Sequence, residues 1–189
     1  LWKKKSSIQN FKMGIFLESI GNKSDLMCKL SHKGNHQIDK IVKYIFSKDK
    51  TTDFSEGVMN DELVFANSDF DIPMISLQRF PYPEYHTSDD NIEAISEKSL
   101  LESYDYIIKI INMIETNYIP CKKIKGPFYL SKHQLYKEID AKLDYWKNWH
   151  LMNSFDKKSS IIDIANLLEI DYWEAYENIE SFRKAGLIK

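Results

Sequence analysis

No stretch of this chain offers the roughly 20 consecutive apolar residues that a membrane-spanning helix needs. The nearest candidate, Met13 to Ile20, is interrupted by Glu18, which also argues against a secretory leader. Cysteine is scarce. Cys28 and Cys121 are the two in the chain and stand too far apart for a zinc-knuckle or redox spacing, so both are expected as reduced thiols in a cytoplasmic protein. Neither sign of charge dominates: 26 Lys and Arg face 28 Asp and Glu, for a net charge of −2. That balance gives no global attraction to nucleic acid or to an anionic membrane. The lysines at 3–5, 122, 123, 125, 157 and 158 form small local clusters expected as solvated faces. What is present is a globular composition. With 43% hydrophobic and 29% charged residues over 189 positions, the chain can bury one core or two small ones.

The apolar pattern changes period along the chain. Met13 to Ile20 reads as a buried strand closed by the turn signal Gly21-Asn22, and Leu26 to Leu30 as a second. Ile38, Ile41, Val42, Ile45 and Phe46 then recur at helical spacing, which predicts an amphipathic helix of about three turns. A polar loop over 47–56 follows. Ile72 to Leu77 reads as another strand, and Leu100 to Ile114 as a long helix. Strands alternating with helices predict an α/β layer with a largely parallel sheet. Between Asn117 and Pro127 a proline, a lysine cluster and Gly126-Pro127 break the pattern, which places a domain boundary there: 1–118 and 119–189. Beyond it, Ser160 to Asp163 and Asp171 to Glu174 both have capping-box spacing before an apolar helix. Two short helices, a stop at Gly186 and a strand start at Leu187-Ile188 predict a winged-helix-like domain, with Trp146 and Trp149 expected in its core.

The segment with the most chemical content is Arg79 to Asn91. Two prolines stiffen the backbone ahead of His86, and Asp90 follows four residues later. An imidazole held in one direction, with a carboxylate to orient its second nitrogen, suits metal binding. A surface loop whose histidine bonds only locally is the other reading, since one histidine does not make a metal site.

Together these stretches resemble a family of bacterial and archaeal aminopeptidase-like proteins in the zinc exopeptidase superfamily. The similar positions are Gly14 to Gly21, Ile38-Asp39, Asn60-Asp61-Glu62, Phe70 to Pro73, Ser76-Leu77, Arg79, and Pro83 to Ser88 with Asp90-Asn91. In the tail Gly126-Pro127, Leu135-Tyr136, Ile162 to Ala165 and Gly186 to Ile188 also fit. The segment Pro83-Glu84-Tyr85-His86-Thr87-Ser88 with Asp90-Asn91 is the specific one. The resemblance implies the later part of a zinc-exopeptidase-like α/β domain, its mostly parallel sheet flanked by helices, followed by a winged helix. It makes His86 the last zinc ligand and Asp90 its second-layer partner, with Asp61 and Glu62 near the site. Glu18 lies where related two-zinc peptidases carry a carboxylate ligand; a partly exposed charge at a strand end is the equal alternative. Arg79 either recognises a substrate carboxylate or pairs with Asp61.

The first histidine, bridging aspartate and catalytic glutamate that the family places before the strand at Met13 have no counterpart here. His32 and His36 follow that strand and are expected as exposed residues before the helix. The chain also opens at Leu1, and is expected to be a fragment that is inactive alone. The resulting expectation is part of a zinc-dependent hydrolase, in which metal-activated water attacks a peptide or other amide carbonyl. The alternative is a metal-free scaffold, or a module whose winged helix makes protein contacts. Nucleic acid is not expected as a partner. The second helix of the pair carries Asp171, Glu174, Glu177 and Glu180 against Arg183 and Lys184, the wrong sign for phosphates. Homo-oligomerisation is left open.

Overall fold

The computed structural model describes residues 10–57, 59–135 and 141–189, with the side chains of 141–145 excepted. Lys3 to Lys5 and Tyr136 lie outside the described residues. Chain contacts divide the protein into two compact units, one ending at Ile114 and one beginning at Glu115.

The first unit is mixed α/β. Its four strands are β1 (Gly14–Glu18), β2 (Leu26–Lys29), β3 (Thr51–Thr52) and β4 (Met74–Arg79), ordered β1-β4-β2-β3 across one sheet. β1 runs parallel to β4 and β2 parallel to β3, whereas β2 and β4 pair antiparallel. The sheet is therefore mostly parallel, with one antiparallel seam through its middle. β1 is an edge strand, which is why it is half-buried rather than buried as its apolar run predicts. β4, flanked on both sides, is buried from Ile75 to Arg79.

Helix α1 (Gln37–Ile45) forms where the 3.6-residue period predicts it, burying Ile38, Ile41 and Val42. Each such aliphatic side chain contributes about 1.5–3 kcal/mol. Its start is fixed by Asp39, which accepts hydrogen bonds from the backbone N–H of His36 (2.8 Å) and of Ser31 (2.7 Å) and from Ser31 Oγ (2.6 Å). A short helix, α2 (Glu62–Ala66), precedes β4, and α3 (Glu97–Thr116) follows it.

The second unit is helical: α4 (Ala141–Asn153), α5 (Ile161–Leu168) and α6 (Tyr172–Lys184). Ser160 and Asp163 close a capping box on α5, and Asp171 accepts from the backbone N–H of Trp173 (2.8 Å) and Glu174 (3.2 Å) at the start of α6. Phe128, Phe155 and Phe182 meet in its core, with ring centroids 5.6 and 6.0 Å from Phe182. Lys122 and Ile188 form an antiparallel bridge. Trp146 and Trp149 do not join this core: they are 55% and 44% exposed, stacked edge to face on each other. The core is filled by Ile161, Ile164, Tyr172 and Ile179 instead, which the capped helices deliver at regular spacing.

Candidate functional site at the carboxyl ends of two strands

The parallel register of β1 and β4 places Glu18 opposite Gln78, so both strands end on the same side of the sheet. Outside the carboxyl ends of parallel strands is where open α/β sheets hold ligands. A cleft of about 40 Å³ opens there, walled by Glu18, Gln78, Arg79, Phe80, Tyr82 and Tyr85. That volume accepts a water molecule or an ion but not a peptide side chain.

Glu18 is half-buried at the end of β1, and its Oε2 accepts a 2.5 Å hydrogen bond from Asn60 Nδ2. The backbone N–H of Asn60 donates to Glu62 Oε2 at 3.0 Å. Glu62 Oε1 in turn pairs with Lys29 Nζ at 2.5 Å, and both side chains are 0% exposed. Lys29 comes from β2 and lies 5.6 Å from the ring centre of Phe54. Asp61 is exposed at the amino end of α2, where its side chain caps nothing, and it forms no ion pair among the described residues.

Arg79 ends β4 and is 3% exposed. Its Nε donates to Ile20 O (3.0 Å) and Ser103 Oγ (3.2 Å), its Nη1 to Ser24 O (2.6 Å), and its Nη2 to Ser99 O (2.8 Å) and Glu102 (2.6 Å). The guanidinium thus ties α3 and the 20–24 turn to the strand end. It also holds the Glu102 carboxyl below the usual range, chiefly through that hydrogen bond. Gln78 is 3% exposed, and its Oε1 has no hydrogen-bond partner among the described residues. Gly57 has φ +74°, a conformation that strains other residues, and a Cβ there would sit 2.8 Å from Gln78 Nε2, so a side chain at 57 would also have to displace that amide.

His86 lies on the loop that leaves β4. The Phe80–Pro81 bond is cis, and His86 itself has φ +61°. Thr87 Oγ1 donates to Glu84 O (2.7 Å), and Ser24 Oγ to Pro81 O. The imidazole is exposed and stacks on Tyr85, centroids 3.9 Å apart. Asp90 accepts a 2.5 Å bond from Tyr82 Oη, which pushes the phenol up to about 12. The Tyr82–Asp90 bond, as well as the prolines, stiffens this loop.

One constellation escaped the sequence reading. His36 is not a free residue before α1: its Nδ1 lies 2.9 Å from Ser31 Oγ and 3.5 Å from Asp39. A Ser-His-Asp relay needs the carboxylate on the ring nitrogen opposite the hydroxyl. Here both reach Nδ1 and Ser31 is buried, so the set caps a helix and is no nucleophile. The three-residue spacing from His36 to Asp39 was the available signal. Cys28 is no ready ligand either, because burial, seconded by the Asp39 charge, pushes its thiol up. A zinc site takes three or four protein donors. Among the described residues no three His, Cys, Asp or Glu are grouped to hold a metal, so they do not make such a site by themselves. No helix among them is long and apolar enough to cross a membrane.

The sequence profile of a family described as "Domain of unknown function (DUF4910)" matches residues 1–117. The chain belongs to this DUF4910 family. Over 177 residues, 87% of the chain and 40% of the relative, it is 29% identical to a Clostridium acetobutylicum protein provisionally named for polysaccharide biosynthesis with an aminopeptidase-like domain. A crystal structure from Clostridium acetobutylicum, provisionally titled a peptidase, superposes with a TM-score of 0.78 at 24% identity, covering 99% of this chain and 44% of that one. The superposition shows a shared fold. The chain spans less than half the length of either relative.

Proposed function

We propose that this DUF4910 chain is part of a zinc-dependent, aminopeptidase-like hydrolase acting on a peptide or other amide. In this reading Glu18 and His86 are two donors of a metal set that residues outside the chain complete. The observation that carries it is the strand-end geometry: Glu18 ends β1, and β4, its parallel neighbour, leads directly into the loop bearing His86. Asp90 and Arg79 then hold that end of the sheet in shape through Tyr82 and Glu102, while Glu62 and Asn60 do so for Glu18. Asp61, exposed beside them, is left for substrate. The naming of one relative for polysaccharide biosynthesis makes deacylation of an amide on a sugar compatible with the same machinery. A cytoplasmic location belongs to this reading and agrees with the free Cys28 and Cys121. Residues 119–189 are read as a winged helix, supported by the α5–α6 pair and the Lys122–Ile188 bridge.

The test is hydrolysis of aminoacyl and N-acyl substrates by the 189-residue chain and by the gene's full open reading frame. The chain alone is expected to be inactive. The full protein is expected to be active and to lose activity and bound zinc in His86→Ala. Chelator-sensitive turnover by the chain alone, or unchanged zinc content in His86→Ala, refutes the assignment.

A second reading is a metal-free module whose second unit contacts another protein. It is favoured by Trp146, Trp149 and Trp173, which are 55%, 44% and 40% exposed on α4 and α6. It predicts that the chain captures a partner without zinc and loses it in Trp146→Ala with Trp149→Ala.

A further inference from the structure

We infer that Asn60 is a positioning residue for Glu18, anchored by the buried Lys29–Glu62 pair. This rests on the reading of Glu18 as a functional carboxylate. Asn60 holds Glu18 Oε2 with its side-chain amide and is itself held at its backbone N–H by Glu62 Oε2. Glu62 can do this because its other oxygen is fixed by Lys29, and neither group reaches solvent. Three consecutive links therefore run from the sheet interior at β2 to the cleft at the end of β1. Glu18 Oε1 is left without a partner among the described residues, in a cleft sized for an ion or a water. An amide suits the task. It orients a carboxylate by donating to it, yet brings no charge that would cancel the one the site uses. A lysine or arginine at position 60 would bind Glu18 and neutralise it.

The arrangement also gives the residues of this segment separate roles. Asp61 is exposed and makes no cap bond, whereas its neighbours on either side are both tied into the relay. Outer partners that orient a metal ligand commonly change affinity 10–100-fold when removed.

Two measurements test this, the first on the 189-residue chain. In a ¹H–¹⁵N spectrum, one side-chain amide proton of Asn60 is expected well downfield. It should return to the ordinary region in Glu18→Ala and move in Glu62→Gln. An Asn60 amide whose shifts ignore Glu18→Ala overturns the proposal. The second is a calorimetric titration, with Zn²⁺ alone, of the protein made from the gene's full open reading frame, which on this reading holds the complete metal set. Asn60→Ala is expected to weaken binding about tenfold at an unchanged melting temperature, with Glu18→Ala weakening it at least as much. Zn²⁺ affinity that falls in Glu18→Ala but not in Asn60→Ala also overturns the proposal. If the amide responds as expected while wild type and Glu18→Ala bind Zn²⁺ alike, the positioning contact stands and the metal role of Glu18 fails.

Discussion

The Lys29–Glu62 pair makes the sharpest energetic prediction. Both side chains are 0% exposed and 2.5 Å apart, so removing either breaks a fully buried ion pair. Such a change costs about 3–5 kcal/mol. Glu62→Ala also strips the Asn60 N–H of its acceptor, so the upper part of that range is expected. With a urea dependence of about 2 kcal/mol per molar, the unfolding midpoint of the first unit should fall by about 2 M. Replacing both partners, Lys29→Met with Glu62→Leu, leaves neither charge buried alone by the change and is expected to cost far less than the two single changes summed. The assay is a double-mutant cycle on urea unfolding, read by hydrogen exchange of the β2 amides so that the second unit does not contribute. The stability of the pair should also be indifferent to salt, in contrast to Lys33–Asp71, whose partners are 48% and 53% exposed and screened at physiological ionic strength. Single variants that lose less than about 1 kcal/mol, the range of exposed pairs, would mean that water reaches these charges, and would remove the anchor from the Asn60 argument.

Two further outcomes follow from particular bonds. Tyr82 holds its phenolic proton more tightly folded than unfolded, its pKa raised from 10.0 to about 12 by the bond to Asp90. That contribution is complete below pH 10 and is lost as pH rises through about 12; in Asp90→Asn the Tyr82 midpoint, followed by ¹³Cζ NMR, should fall toward 10, and an unmoved midpoint refutes the contact. Asp171→Ala leaves the N–H groups of Trp173 and Glu174 without their cap and should destabilise the second unit by about 1 kcal/mol, seen as a lower melting temperature in Trp fluorescence.

Much of the first unit was legible because its signals are local. The 3.6-residue recurrence from Ile38 to Phe46 and the apolar run at Gly14–Glu18 specify element type without reference to the rest of the chain. What those patterns do not encode is who sits beside whom. β1 is only half-buried because it forms the sheet edge, and β2 opposes β4 although both read as ordinary apolar strands. Charged residues were the least legible. Nothing in the sequence separates Glu62, fully buried against Lys29, from the exposed Asp61 next to it, because the distinction depends on a partner 33 residues away. The same holds for Arg79, whose donors are spent on α3 and the 20–24 turn. Trp146 and Trp149 look like core by residue type, yet lie on the outer face of α4.

The placement of the buried charges is itself an argument about the site. A buried ion pair commonly contributes no more stability than well-packed apolar residues of the same volume, so stability alone does not explain why this unit buries both Lys29–Glu62 and the Arg79 guanidinium. Both connect to the sheet end that carries Glu18 and Gln78. Arg79 walls the cleft, and Lys29–Glu62 reaches Glu18 through Asn60. Hydrogen-bonded ions hold direction more strictly than apolar contacts do, because each bond weakens steeply off axis. On the proposed reading, two such anchors fix the direction of the Glu18 carboxylate and the cleft wall beside Gln78. The apolar Lys29→Met, Glu62→Leu variant separates the two roles: a fold that survives while Zn²⁺ affinity drops shows that the charges serve the geometry of the cleft, and unchanged affinity shows that they do not.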